Sequence, residues 1–436
     1  MTRRWISSST TPRVCLTVSI SAKAQAHFWK RGALGLDKFD APRSGAAWRP
    51  VDPVDTRPLA GLRVLDFGQY IAAPAAAQKL ADLGADVIKI EPPGGDASRK
   101  LGWTQDDAGP MFAAYNRGKR SVLLNLREAL DQAMARALVA EADVLLHNAR
   151  NGAMERLGLG HVEMLALNPR LVYGAVSGFS PEGPMADRPG YDIAGQAESG
   201  MMSLNGDSHS DPTRVGFAVV DVMAAHSLAS GVLAALVRRG VRGQGALVEV
   251  SLIDAALEAL SYPWAEYRRS GQVPRRCGNG QPTVAPAADV LSTADGQMVI
   301  SAYMPEHFAR LCADLGRPEL VDDPRFKDNR SRVANRHALK QLLSEGLSML
   351  GTEEACKRLV QAGIVCGAVR SFDQILPSTA GLRGDSFVPV EVPGQAVAAL
   401  LPSTAIVTDR QPRSGGALPA LGEHTAAVLE ALGSSA

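Results

Sequence analysis

Hydrophobic and polar positions form a repeating pattern from about residue 58 onwards. Segments with helical spacing lie at 74–83, which ends at Gly84, and at 128–140. Strand, helix and strand within about 30 residues form a βαβ unit, whose strands are parallel. The alternation predicts a doubly wound α/β domain. Its predicted strands are short apolar runs at 63–67, 86–91, 121–126, 143–147 and 171–176.

The next part of the chain adds a strand at 247–251 and helices at 192–202, 219–238 and 254–270. Segment 219–238 is apolar on nearly every face, which predicts a helix that is buried all round. These elements complete a predicted large domain over residues 56–270.

Residues 271–286 are rich in Gly, Pro and Arg and are typical of a domain junction. The pattern changes after them to a strand at 297–302 and helices near 305–315, 337–349 and 352–362. We therefore predict a smaller α+β domain over residues 271–380.

Residues 1–55 differ from the rest, with Ser, Thr, Arg and Lys but no acidic residue before Asp37. Acid-poor ends of this kind occur in organelle transit peptides. An unstructured extension, or a start codon placed too early, is the simpler interpretation. We expect a disordered extension and a cytoplasmic protein, with the mitochondrial matrix as the alternative if the segment is a transit peptide.

Composition excludes several classes of protein. With 46 Lys and Arg against 45 Asp and Glu, the net charge of +1 argues against a strongly basic nucleic-acid binder. The sequence contains no run of 18 apolar residues, so no membrane-spanning helix is predicted. Five scattered cysteines without a Cys-x-x-Cys pair, and eight histidines without metal-like spacing, indicate neither a disulfide framework nor a metal site.

The turns after the strands are the first candidates for binding. The first, at 68–74, lacks the Gly-x-Gly-x-x-Gly dinucleotide fingerprint, yet its small residues could seat an anion or allow close helix packing. Basic side chains lie at 117–120, and Arg150 and Arg156 flank a later strand end. Ligands of open α/β sheets bind at such ends, so these arginines either contact phosphates or belong to a solvated turn.

Two acidic residues are candidates for chemistry. Asp192 opens a predicted helix, where capping that helix is the simplest role. Asp221 lies near the start of the most apolar helix, where an unpaired carboxylate is costly. It either occupies the first turn for structural reasons or acts as a catalytic nucleophile or base.

Five strings in the correct order resemble the class III coenzyme A transferases. This family includes formyl-CoA and carnitine CoA-transferases and is related to 2-methylacyl-CoA racemases. The resemblance covers about residues 58–432. The strings are Pro58 to Asp66, Leu80 to Glu91, Asn116 to Ser121, Pro189 to Asp192, and Leu421 to Thr425.

The resemblance implies an α/β large domain, a small domain, and a C-terminal segment over 381–436 that returns to the large domain. It also implies an interlinked homodimer. The family's catalytic aspartate falls on Asp221, and Asp192 and Tyr191 fall beside it as active-site support. The implied contacts to coenzyme A are Ile71, Ala72, Leu124, Asn125, Leu126, Arg127, Asn148, Ala149, Arg150, Arg156, Pro189 and Gly190.

The chain departs from the family pattern at four positions. Ala149 and Asn151 replace an aromatic residue and a proline, and Ile71 replaces the glutamine of formyl-CoA transferases. Tyr191 stands where racemases have a histidine. Because a phenol with a pKa near ~10 exchanges protons poorly at neutral pH, this favours a transferase over a racemase.

The implied reaction moves CoA from an acyl-CoA to a free carboxylic acid through a covalent aspartyl intermediate. It needs no metal and no permanently bound cofactor, since CoA and acyl-CoA are substrates. We expect no nucleic-acid or membrane partner. Two alternatives remain open at this point: an acyl-CoA racemase or epimerase, and an inactive CoA-binding homologue.

Overall fold

The computed structural model describes residues 55–102, 107–376 and 382–434. Residues 1–54, which make up nearly all of the predicted extension, lie outside the described residues. The large domain contains a six-stranded parallel sheet. Its strands are β1 (Arg63–Asp66), β2 (Asp86–Glu91), β3 (Arg120–Leu123), β4 (Val144–His147), β5 (Val172–Ser177) and β6 (Ala246–Ser251).

The spatial order of these strands is β3-β2-β1-β4-β5-β6. The order reverses between β1 and β4, which is the topological switch point of a doubly wound sheet. The helices of this domain are α1 (Ala72–Asp82), α2 (Pro110–Asn116), α3 (Ala129–Ala140), α4 (Ala153–Arg156), α5 (His161–Leu167), α6 (Asp192–Glu198), α7 (Met201–Leu204), α8 (Val219–Arg242), α9 (Leu252–Ala259) and α10 (Ser261–Ser270), with a 3₁₀ turn at Ala97–Lys100.

The sheet has a hydrophobic core on each face. Helices α1 and α8 cover one face, where Leu80 and Leu228 meet strand residues such as Val172. Helix α3 and the last helix of the chain cover the other face, with Leu138 and Val428 among the buried residues. Burying both faces explains why the strands are continuous apolar runs rather than alternating ones.

The small domain has its own core around Phe308 and Phe326. Its antiparallel sheet, in the order β7-β8-β9, is built from β7 (Ala287–Ser292), β8 (Gln297–Ser301) and β9 (Val365–Ala368). Its helices are α11 (Pro305–Asp314), α12 (Asn329–Ala334), α13 (Arg336–Leu347), α14 (Thr352–Gln361) and α15 (Phe372–Ile375), with a 3₁₀ turn at Pro318–Val321. A large parallel sheet with a smaller antiparallel one confirms the predicted α/β architecture.

The C-terminal part packs on the large domain. It forms β10 (Phe387–Glu391), β11 (Ala399–Pro402), β12 (Gly416–Ala417) and helix α16 (Thr425–Ser434). The main-chain N–H of His424 donates to the carbonyl of Ser121 over 2.9 Å. Thr425 Oγ1 accepts from the N–H of Leu123 at 3.0 Å. These bonds fasten the end of the chain to β3, an edge strand of the main sheet.

Three predicted helices need correction. The 192–202 helix is interrupted at Gly200, whose φ of 97° lies in the left-handed region, and the 254–270 helix divides at Leu260. Helix α8 is not buried all round in the single chain, because only one side faces the sheet. Val237 and Val241 on its other side are 72% and 83% exposed.

Among the described residues, α8 is the one helix long and apolar enough to cross a membrane. A core helix meets the same criteria. Val220, Leu228 and Val232 of α8 are fully buried against the sheet, as expected of a core helix.

Candidate active site

A cavity of about 500 Å³ opens at the carboxyl ends of β1, β4 and β5. Phe67, Asn148 and Ser177, at or directly after the ends of these strands, line it. The cavity therefore lies at the switch point of the sheet, where doubly wound proteins bind their ligands.

The first wall of the cavity is the turn between β1 and α1. The Asn148 side chain pairs with both main-chain groups of Gln69: Oδ1 accepts from its N–H and Nδ2 donates to its carbonyl, each at 2.8 Å. Next in the turn, Tyr70 has a φ of 63°. Ile71 and Ala72 follow, and both line the cavity at the start of α1.

The opposite wall is the segment Pro189–Tyr191. It can lie against the end of β5 because two glycines meet there. A β-carbon on Gly178 would come within 2.5 Å of the Gly190 Cα, so only glycine allows this approach. The rings of Tyr191 and Tyr70 pack edge to face, with ring centres 6.4 Å apart. The two tyrosines thus join the two walls.

Asp221, in the first turn of α8, lines this cavity. Burial, with a further contribution from the charge of Asp192, raises the pKa of Asp221 to about 7. No side chain or main-chain group of the described residues donates a hydrogen bond to its carboxylate. Burial and the nearby Asp221 charge also raise the pKa of Tyr115. Asp221 is therefore a poorly solvated carboxylate that accepts no hydrogen bond from the described residues.

Asp192 lies behind Asp221 and does not line the cavity. Its Oδ1 accepts from the N–H groups of Val220 at 2.7 Å and of Asp221 at 3.3 Å. Its Oδ2 accepts from Gln196 Nε2 at 2.6 Å. The interpretation of Asp192 as a cap of its own helix was wrong, since it caps α8, whose own N-terminal residues supply no side-chain cap.

Two exposed guanidinium groups, those of Arg150 and Arg156, line the cavity. Neither forms an ion pair or side-chain hydrogen bond with the residues that the structure describes. A third arginine of the cavity wall, Arg188, is instead paired with Glu198. The first two arginines are therefore free to neutralise an anionic ligand.

The structure brings together ten of the predicted site residues around the cavity. Asp192 lies behind Asp221 and does not line the cavity. Leu124, Asn125, Leu126 and Arg127 are not brought into it, because they follow β3, which is two strands away from β1 in the sheet. The ten that line the cavity are Ile71, Ala72, Asn148, Ala149, Arg150, Arg156, Pro189, Gly190, Tyr191 and Asp221.

Sequence reasoning did not identify several cavity residues, including Gln69, Tyr70, Phe179 and Arg188. Gln69 and Tyr70 lie in a turn that the sequence did single out, so the turn itself was the available signal. Among the described residues, no group of three or more His, Cys, Asp or Glu side chains is arranged to hold a metal ion.

Comparison with known proteins identifies the family of the chain. The model of CoA-transferase family III matches residues 59–425. The chain belongs to this family, as the five sequence strings had implied.

Curated relatives include an acetyl-CoA:oxalate CoA-transferase from Acetobacter aceti, which is 38% identical over 74% of this chain and 84% of its own length. A succinate–glutarate CoA-transferase from Agrobacterium fabrum is 33% identical over 86% of this chain and 96% of its own. A solved CAIB/BAIF family protein from Brucella suis, 33% identical, superimposes with a TM-score of 0.77 over 86% of this chain and 99% of its own. The chain is accordingly an enzyme of the CoA-transferase class.

Proposed function

We propose that the protein transfers CoA between carboxylic acids with Asp221 as the covalent nucleophile. One observation carries this proposal: a half-buried carboxylate with a raised pKa faces a cavity that also holds two unpaired arginines. The carboxylate suits attack on a thioester, and the arginines suit the phosphates of CoA.

In the first half of the reaction, an Asp221 oxygen attacks the thioester carbonyl of the donor acyl-CoA. The C–S bond breaks, giving a mixed anhydride and CoA thiolate. The thiolate then attacks the aspartyl carbonyl of the anhydride. This releases the donor acid as a carboxylate and leaves Asp221 as an aspartyl-CoA thioester.

The second half repeats these steps in reverse with the acceptor. The acceptor carboxylate attacks the carbonyl of the aspartyl thioester and expels CoA thiolate. This attack leaves a new mixed anhydride between the acceptor and Asp221. The thiolate attacks the acceptor carbonyl, so that acceptor acyl-CoA leaves and the Asp221 carboxylate is restored. Every step exchanges acyl groups between carboxylate and thiolate, so no net proton or electron is consumed.

Asp192 supports this chemistry by fixing the start of α8. Its carboxylate satisfies two N–H groups that the first turn of a helix leaves unpaired. Held in this way, Asp221 meets the thioester in one orientation, which lowers the entropic cost of attack.

The acids exchanged are proposed to be small carboxylates, because relatives are named for oxalate and glutarate. The test is CoA exchange between succinyl-CoA or acetyl-CoA and a panel of monocarboxylates and dicarboxylates. We expect at least one pair to exchange. Deuterium incorporation at the α-carbon of a 2-methylacyl-CoA without CoA exchange would contradict the proposal and favour the racemase.

We further propose that two chains form an interlinked homodimer. Support comes from the family and from apolar side chains left uncovered on two helices of the large domain: Val237 and Val241 of α8, and Tyr262 and Trp264 of α10. Sedimentation at low protein concentration should detect no folded monomer. A reversible equilibrium between folded monomers and dimers would contradict the interlinked arrangement.

A further inference from the structure

The turn between β1 and α1, which forms one wall of the cavity, is bonded to buried charged side chains that play no part in the proposed reaction. Lys89 and Asp96 are at most 1% exposed, and Lys89 Nζ lies 2.9 Å from Asp96 Oδ2. Desolvating two such charges costs free energy, and this cost offsets much of their mutual attraction. Their contacts with the main chain show which segment they hold.

Each member of the pair bonds to the main chain of the turn. Lys89 Nζ donates to the carbonyl of Gly68 at 2.8 Å. Asp96 Oδ1 accepts from the N–H of Tyr70 at 3.2 Å. The same oxygen is held in place by Ser98, whose N–H and Oγ donate to it at 2.9 and 2.8 Å.

The turn needs this support because its conformation is unfavourable by itself. Tyr70 has a φ of 63°, a region that residues with a β-carbon rarely adopt. Gly68 has no spare room, since a β-carbon there would lie 2.7 Å from Ala73 Cβ. Asn148 completes the support from the cavity side by pairing with Gln69.

We infer that Lys89 and Asp96 are positioning residues that hold the 68–72 turn in the shape required for CoA binding. They act through the main chain of Gly68 and Tyr70 and do not reach the cavity. This inference rests on the proposed function, because it assumes that CoA occupies the cavity beside Ile71 and Ala72.

The test removes both charges together with Lys89→Met/Asp96→Asn, because removing Lys89 alone would leave the Asp96 carboxylate buried without a cationic partner. The Asp66 carboxylate, 3.7 Å from Lys89 Nζ, keeps its own partner, Lys119 Nζ at 2.7 Å. Asparagine keeps an oxygen for the Tyr70 N–H, whereas methionine cannot donate to Gly68. Affinity for free CoA is measured by calorimetry. The rate of amide exchange of the 68–72 peptide is measured by mass spectrometry in the free protein.

A second ion pair, between a buried arginine and a partly exposed aspartate, provides the control. Arg239 and Asp143 lie 2.9 Å apart, and they too bond to the main chain: Arg239 donates to the Arg170 carbonyl at 3.1 Å, and Asp143 accepts from the Arg63 N–H at 2.9 Å. They lie at the amino ends of the strands, opposite the cavity. Arg239→Met/Asp143→Asn therefore makes the same chemical change away from the turn.

We expect the Lys89/Asp96 variant to weaken CoA binding about tenfold and the control variant to change it less than about twofold. KM for acyl-CoA should rise by a similar factor while kcat changes by less than about threefold. Amide exchange at 68–72 should quicken only in the Lys89/Asp96 variant. Equal CoA affinity in the two variants would overturn the inference.

Ser98→Ala keeps the test decisive if the double variant does not fold. It removes only the hydroxyl that orients Asp96, and we expect a rise of about threefold in the dissociation constant for CoA. An unchanged constant would overturn the inference. If the wild-type chain binds CoA without transferring it, the proposed reaction fails while the role of Lys89 and Asp96 in CoA binding is still measured.

Discussion

Asp221→Asn should lower kcat by at least roughly 10³-fold while CoA still binds. Asparagine has nearly the same volume as aspartate but no nucleophilic carboxylate, so the cavity keeps its shape and loses its reacting atom. Steady-state exchange kinetics and CoA calorimetry check both parts. Asp187 is a second carboxylate of the cavity wall, so Asp187→Asn is the matched control, with kcat expected within about threefold of wild type.

The stability of Asp221→Asn shows whether the loss arises from unfolding. Because the folded pKa of Asp221, about 7, is above the ordinary value of 3.8 for an aspartate, its contribution to stability is fully present below pH 3.8 and is lost as pH rises through 7. At pH 8 the charged form is buried at a cost that asparagine avoids. The variant should therefore melt at the wild-type temperature or above it at pH 8, whereas a lower melting temperature would mean that the carboxylate stabilises the fold.

Asp192→Asn should move the acidic limb of the pH profile. The reactive form of Asp221 is the carboxylate, so kcat/KM of the wild type should rise with pH through about 7 and then level off. The charge of Asp192 contributes to the raised pKa of Asp221, and asparagine removes that charge. We expect the limb to shift to lower pH by roughly 0.5–1 unit.

The matched variant Asp192→Leu separates charge from capping. Asparagine keeps an oxygen for the N–H of Val220, but leucine leaves two N–H groups of α8 unpaired. We expect Asp192→Leu to lower the plateau of kcat by more than about tenfold, because Asp221 is no longer held in place. An acidic limb that stays in place in Asp192→Asn would show that Asp192 does not influence the titration of Asp221.

The parallel sheet could be predicted from the sequence because its signals are local. Each strand from β1 to β5 is a short apolar run, and each is separated from the next by a helix or turn with its own stop signal. The later strands β10 to β12 were not predicted, since each contains few residues and β10 and β11 include a proline. Their stability depends on pairing with distant segments, which a local pattern does not record.

The prediction that α8 is buried on all sides was wrong for a different reason. Composition shows that its residues are apolar but does not show which neighbours cover them. One side faces the sheet, and Val237 and Val241 face away from it. The same pattern would fit a helix covered by another chain, which is how the homodimer proposal accounts for it.

The sequence predicted which residues belong to the candidate site but not how they contact one another. Asp221 and the arginines follow from the family resemblance. The pairing of Asn148 with Gln69, and the capping of α8 by Asp192, join residues 79 and 28 positions apart in the chain. Such contacts form only when the strands and helices pack together, so the spacing of residues along the sequence does not predict them.

The central claim is that Asp221 carries the covalent intermediate. The most direct measurement mixes the enzyme with acyl-CoA and hydroxylamine, digests it, and locates the resulting hydroxamate by mass spectrometry. Our account predicts a hydroxamate on the peptide that contains Asp221, and none in Asp221→Asn. A hydroxamate on Asp192, or normal CoA exchange by Asp221→Asn, would contradict it.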